Sequence, residues 1–171
     1  MTRGSLSCYA PGVSQPDREF RASVCGVDTS RPRTFQFFVP GIPAPDPRVK
    51  AFSRGRHAGV YKPKGAWQEW AKRVALMTGA APKPAHDGPV RMSIEYRMPR
   101  PKSLPKKFAD GSYCWRKPDV DNMEKLVLDV LKKRGWFTDD GRVADVAHRK
   151  VYSSKPGMAV VIELLDEGAM P

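Results

Sequence analysis

The sequence predicts an α+β fold: one domain in which a small mixed β-sheet of about four strands carries two main helices, in the order β-α-β-α-β-β. Three observations predict it. Residues 65–78 and 119–133 place apolar side chains at the three-and-four spacing of a helix face. Residues 90–98 alternate apolar and polar strictly, the period of a strand with one buried face. The chain has 171 residues, 40% of them hydrophobic, which suits one core better than two.

Residues 1–33 mix Ser, Gly, Pro, Thr and Arg without periodicity and read as a disordered N-terminal extension. The folded domain is expected over 34–168. Phe35-Gln36-Phe37-Phe38-Val39 is an aromatic and β-branched run, a good first strand. Pro40, Pro43, Pro45 and Pro47 end it, because a proline ring excludes both helix and central strand. A basic loop is expected from there to about Pro63. The first helix follows, with Trp67, Trp70, Ala71, Val74 and Met77 on one side and Gly79 as its stop. Pro82 to Pro89 is a linker. After the 90–98 strand, residues 99–118 form a long loop rich in Pro and Lys, a length that usually marks function or disorder. In the second helix Met123, Leu126, Val127, Val130 and Leu131 form the buried stripe. Gly135 ends it, with Lys132, Lys133 and Arg134 favourably placed in the last turn. Asp139-Asp140-Gly141 is a turn signal. Residues 143–152 and 158–165 are the last two strands, joined by a turn at 153–157.

Lys and Arg number 30 against 18 Asp and Glu, a net charge of +12. That balance favours a polyanionic partner, of which nucleic acid is the usual one. The excess is concentrated. In residues 46–74, and again in 91–118, eight cations face two acids. The three cysteines form no CxxC pair, so neither zinc site nor disulfide framework is indicated. No run of 18 apolar residues and no basic-then-apolar leader is present, so a cytoplasmic protein without a membrane span is expected.

Between the basic stretches and the last strands comes an acidic cluster: Asp119-Val120-Asp121-Asn122, Lys125, and then Asp139-Asp140. Phosphodiester cleavage needs a nucleophilic water and stabilisation of charge on the leaving oxygen. Clustered carboxylates serve both ends by holding Mg²⁺, a hard cation that takes oxygen ligands and keeps positions for water and phosphate. Asp119 and Asp121 project from a helix start, and a third acid can arrive from the turn after that helix. Lys125 lies one turn beyond Asp121, within reach of a carboxylate or of the scissile phosphate. Blander roles fit too. Asp at a helix start is a common cap, Asp-Asp-Gly a common turn, and Asp121–Lys125 an ordinary surface pair. A cap explains Asp119 or Asp121 readily, and both together less well.

At these residues the sequence resembles the RusA-type Holliday junction resolvases, endodeoxyribonucleases often carried by phages. The resemblance rests on Asp119-Val120-Asp121-Asn122, Lys125, Gly135-Trp136-Phe137-Thr138-Asp139-Asp140, Val143-Ala144-Asp145 and Gly41-Ile42-Pro43-Ala44-Pro45. It implies a homodimer that uses Mg²⁺, with Mn²⁺ as a substitute, to make paired nicks in a four-way junction for DNA recombination and repair. It also implies that Asp119, Asp121 and Asp140 are the catalytic, metal-binding acids and Lys125 the functional lysine, with Asp139 a neighbour that binds metal or supports the turn. The cations expected to grip DNA are Arg48, Lys50, Arg54, Arg56, Lys62, Lys102, Lys106, Lys107, Arg116 and Lys117. Two alternatives stand beside this one: a protein that recognises DNA architecture without cutting it, and a metal nuclease for flap or RNA substrates. His57, His86 and His148 lack any metal-type pattern and read as surface or structural residues. Phe108, Tyr113 and Trp115, set among cations, either stack on unpaired bases or cover the edge of the core.

Overall fold

A computed structural model describes residues 33–105 and 110–168; residues 1–32 of the expected N-terminal extension, together with Lys106, Lys107 and Phe108, lie outside the described residues, and Arg33, expected to end the extension, begins the first strand instead. In chain order the elements are β1 (Arg33–Pro40), β2 (Lys50–Arg54), β3 (His57–Tyr61), α1 (Ala66–Met77), β4 (Val90–Pro99), α2 (Val120–Lys133), a 3₁₀ turn (Asp140–Arg142), β5 (Val143–Ser153) and β6 (Gly157–Leu164). Four strands form one mixed sheet in the order β1-β6-β4-β5, the α+β fold expected from the sequence. Strand β6 runs antiparallel to both β1 and β4, whereas β4 and β5 are parallel. A parallel neighbour requires a crossover, and α2 is that crossover.

The alternation in β4 sorts the sheet into two faces. Val90, Met92, Ile94, Tyr96 and Met98 are buried against the helices. Met158, Val160, Ile162 and Leu164 of β6 join them, as do Val39 and the partly buried Phe35 and Phe37 of β1. All five stripe residues predicted for α2 are buried, and so are Trp70 and Val74 of α1. The end of α2 closes as its glycine requires. Gly135 takes φ +80°, the Gly135 N–H reaches the Lys132 carbonyl, and the Trp136 N–H reaches that of Leu131. Trp136 and Phe137 then turn inward and are almost fully buried, with Phe35 edge-on to Trp136 at 4.9 Å.

The opposite face of the sheet is polar. Arg91 pairs with Asp145 at 2.8 Å and with Glu163 at 3.5 Å. Glu95, nearly buried, accepts from Arg97 and Arg149, each at 2.6 Å. Three cations therefore serve the sheet here, two of them from the second basic stretch.

The segment expected to be a basic loop departs from that reading. Residues 50–61 fold into a two-stranded hairpin, separate from the main sheet, in which Lys50 pairs with Tyr61 and Arg54 with His57. Gly55 opens the two-residue turn at φ +61°. The 99–118 loop also acquires order near its end. Tyr113 bridges to Val151, and the Cys114 N–H donates to the Lys150 carbonyl, so the chain runs beside β5 just before α2 begins. No helix among the described residues is long and apolar enough to cross a membrane.

Candidate active site

Asp119 is the N-cap of α2, with extended backbone (φ −73°, ψ 142°) and no side-chain capping bond. Its carboxylate is exposed, as is that of Asp121 two residues on, within the first turn. A cap that makes no capping bond leaves its oxygens available, so the blander account of Asp119 loses its main support. Asp121 has only a long contact, 3.5 Å, from the Asn122 side-chain amide. Lys125 is exposed and forms no ion pair among the described residues. This pair of acids stands at the carboxyl end of the parallel β4–β5 pair, where open α/β sheets tend to bind ligands.

A buried lysine holds the approach to that helix. Lys150 of β5 faces the helix side, 9% exposed, and its ammonium donates to the carbonyls of Arg116 at 2.5 Å and Pro118 at 2.7 Å. The chain entering Asp119 is thus tied to the sheet by one charged donor. Beside it an open cleft of about 480 Å³ is lined by Tyr113, Trp115, Asp119, His148, Arg149 and Lys150. Tyr113 and Trp115 are 72% and 63% exposed, so of the two roles the sequence left open, covering the edge of the core accounts for only the smaller part of their surface. Trp115 does touch the core with its edge, 6.2 Å from the Tyr152 ring. His148 Nδ1 lies 3.5 Å from Glu124.

On the other flank, the loop after β1 is fastened to the same helix start. The Asp46 N–H donates to the Asn122 carbonyl at 2.8 Å. The buried Asp46 carboxylate pairs with Lys62 at 2.5 Å, and the Lys62 ammonium lies 4.9 Å over the Trp67 ring. The hairpin is therefore rooted beside Asp121. Lys62, expected to contact DNA, is engaged in this root. Arg48, Lys50, Arg54, Arg56, Lys102, Arg116 and Lys117 are exposed and make no ion pair among the described residues.

Asp140 is elsewhere. The strap after α2 is pinned to the linker before β4, where the His86 N–H donates to the Trp136 carbonyl and the Thr138 N–H to that of His86. His86 holds the strap here through its backbone. Asp139 caps the 3₁₀ turn by accepting from the Gly141 N–H at 2.9 Å. Lys132 donates to Asp139 at 2.8 Å and to Asp140 at 3.1 Å. Lys132, first, and the Gly141 N–H hold the Asp139 carboxyl down at about 2, while the two carboxylates raise Lys132. Lys132 lies eleven residues beyond Asp121, about 16 Å along the helix axis. Within one chain, α2 separates Asp140 from Asp119 and Asp121, and among the described residues no three His, Cys, Asp or Glu side chains converge as a metal cage.

A family model described as Endodeoxyribonuclease RusA matches residues 40–163, from the end of β1 into β6. A relative in Bacillus subtilis (strain 168), named "Uncharacterized protein YqaN", is 29% identical over 136 residues, which span 74% of this chain and 94% of the relative.

Proposed function

Because this chain belongs to the RusA endodeoxyribonuclease family, we propose that it is a homodimeric, Mg²⁺-dependent endonuclease that resolves four-way and other branched DNA by paired nicks. Recombination and repair in the cytoplasm of a bacterial or phage-infected cell is the setting this implies. The observation that carries the reading is the pair of exposed carboxylates at the start of α2, flanked on both sides by exposed cations without acidic partners. Acids alone would repel DNA. Arg48, Lys50, Arg54 and Arg56 on one flank, with Arg116 and Lys117 on the other, offset that repulsion and contact phosphates.

The donor set fits the metal. Mg²⁺ is commonly held by one or two carboxylates together with water and substrate phosphate, and Asp119 and Asp121 supply hard oxygens of that kind. When bound there, the ion polarises the phosphate and lowers the pKa of a water molecule. Lys125, on the Asp121 face, steadies the phosphate. Lys150 and the Asp46–Asn122 contact fix the helix start from two sides, so the carboxylates are pre-positioned.

Asp140 joins this site from the second subunit. A two-fold dimer brings one patch of each copy to another patch of its partner, twice over. Pairing the amino end of one α2 with the Asp139–Asp140 turn of the other makes two equivalent sites, each with three carboxylates. Two sites, one per strand, are what paired nicks need.

Asp121→Asn tests the reading on labelled four-way junction, flap, duplex and RNA substrates. Metal-free junction binding should persist while Mg²⁺-dependent nicking falls roughly 10²- to 10³-fold, the scale of losing one transition-state electrostatic contact. Unchanged nicking would remove Asp121 from the site. A wild-type chain that binds but cuts nothing in Mg²⁺ or Mn²⁺ would favour architectural recognition, and preferential cutting of flaps or RNA would reassign the substrate.

A further inference from the structure

The hairpin has two dissimilar faces. Successive strand residues point to opposite sides, so Lys50, Phe52 and Arg54 share a face with their partners Tyr61, Gly59 and His57. The other face carries Ala51, Ser53, Ala58 and Val60, which are small or apolar and uncharged. All the strand cations thus fall on one side, together with both aromatic rings. Phe52 and Tyr61 are 47% and 48% exposed, with ring centroids 6.2 Å apart.

Gly59 explains how Phe52 is held. A Cβ at position 59 would stand 2.9 Å from two atoms of the Phe52 ring, so the ring lies directly on the glycine backbone. The absence of a side chain there seats the ring across the strand instead of letting it project freely. An exposed phenylalanine seated between Lys50 and Arg54 contributes nothing to the core. Its setting matches sites that take unpaired nucleotides, in which cations track the backbone and an aromatic face receives a base.

We propose that the Lys50–Tyr61 hairpin is an arm that holds an unpaired nucleotide of branched DNA, with the base stacked on Phe52 and the flanking phosphates met by Lys50 and Arg54. This rests on the branched-DNA reading above. It adds the element that distinguishes a branch point from plain duplex, because a base pair at the branch lacks a stacking neighbour on one side, so its base unpairs and swings out at lower cost than one within a duplex. The root of the arm beside Asp121, through Asp46–Asn122 and Asp46–Lys62, delivers that nucleotide next to the acids.

The test compares metal-free dissociation constants for an immobile four-way junction and a linear duplex of matched sequence. Phe52→Ala should weaken junction binding about 5- to 150-fold, the range for losing one stacked base, and change duplex binding less than about twofold. Phe52→Trp should restore the junction preference. Gly59→Val, which displaces the ring without removing it, should lose in the same direction as Phe52→Ala. The slope of affinity against salt should be unchanged in Phe52→Ala and shallower in an Arg54→Ala/Lys50→Ala double variant. Because Phe52 lies outside the core, melting curves should match wild type. Equal losses on junction and duplex, or none on either, would overturn the arm, as would a wild-type chain with no preference for the junction. If wild-type protein nicks the junction in Mg²⁺ while Phe52→Ala binds it as tightly, the arm falls and the nuclease reading stands.

Discussion

Replacing Lys150 with methionine isolates the tie between the sheet and the catalytic helix. Methionine retains most of the apolar stem and loses the ammonium, so the packing of β5 is disturbed little. What goes is the charged donor to the Arg116 and Pro118 carbonyls. Hydrogen bonds from charged groups contribute about 1.5–3 kcal/mol each. Arg116 is exposed and its carbonyl can turn to water, whereas Pro118 is half-buried. Removing a buried charge also relieves its own desolvation cost, which offsets part of the loss. The net is about 2–3 kcal/mol, or a fall in Tm of roughly 6–15 °C for a domain of this size. The effect on chemistry should be larger. Freed from the sheet, the chain entering Asp119 relaxes, and a displacement of about 1 Å at a reacting group can cost about a hundredfold in rate. Nicking of a labelled junction in Mg²⁺ should therefore drop about a hundredfold below the melting range, with metal-free junction affinity within about twofold of wild type. A Lys150→Met variant that melts as predicted but nicks at the wild-type rate would refute the positioning role. Parallel loss of binding and nicking would point instead to general unfolding.

Other consequences follow from the packing and the charges. Leu131→Ala, at a fully buried position of α2, should cost about 2–5 kcal/mol in denaturant unfolding with an unchanged m-value. Asp110 accepts from the Ser154 hydroxyl and backbone N–H, which hold its carboxyl below the usual carboxylate range. Its folded pKa is depressed, so the stabilisation is complete above about pH 4 and fades as pH falls through the folded value. Asp110→Asn should flatten that acid limb of the stability curve, and an NMR titration should place the Asp110 midpoint below 3.9, its approximate model-peptide value.

Elements that bury one face could be read directly from the residues. The stripe of α2, the strict alternation of β4 and the stop at Gly135 all reflect periodicities imposed by a core, and the structure places them as expected. The hairpin could not be read this way, because it buries neither face and therefore leaves no such periodicity. Its signal was weaker: Phe52, Val60 and Tyr61, good strand formers, placed either side of Gly55. Lys150 was invisible for another reason. Its partners are backbone carbonyls more than thirty residues earlier, and a carbonyl carries no side-chain signature. The acids themselves stood out by spacing. Their separation follows from α2 being the crossover between parallel neighbours, which puts its start at the carboxyl ends of β4 and β5 and its finish near their amino ends. The Gly-Trp-Phe stretch before Asp139, read as part of a functional pattern, also has a packing role, since Trp136 and Phe137 fill the core and fix where the turn begins.

Subunit mixing tests the central claim most directly. Asp121→Asn and Asp140→Asn proteins, each inactive alone, are combined in equal amounts under conditions that exchange subunits. If Asp140 completes the site of its partner, every mixed dimer contains one site with both defects and one with none. With random exchange half the dimers are mixed, so first-strand nicking should return to about a quarter of the wild-type level. If all three aspartates instead act within one chain, each site in every dimer keeps a defect. In that case no activity would return, and the shared metal site proposed here would be contradicted.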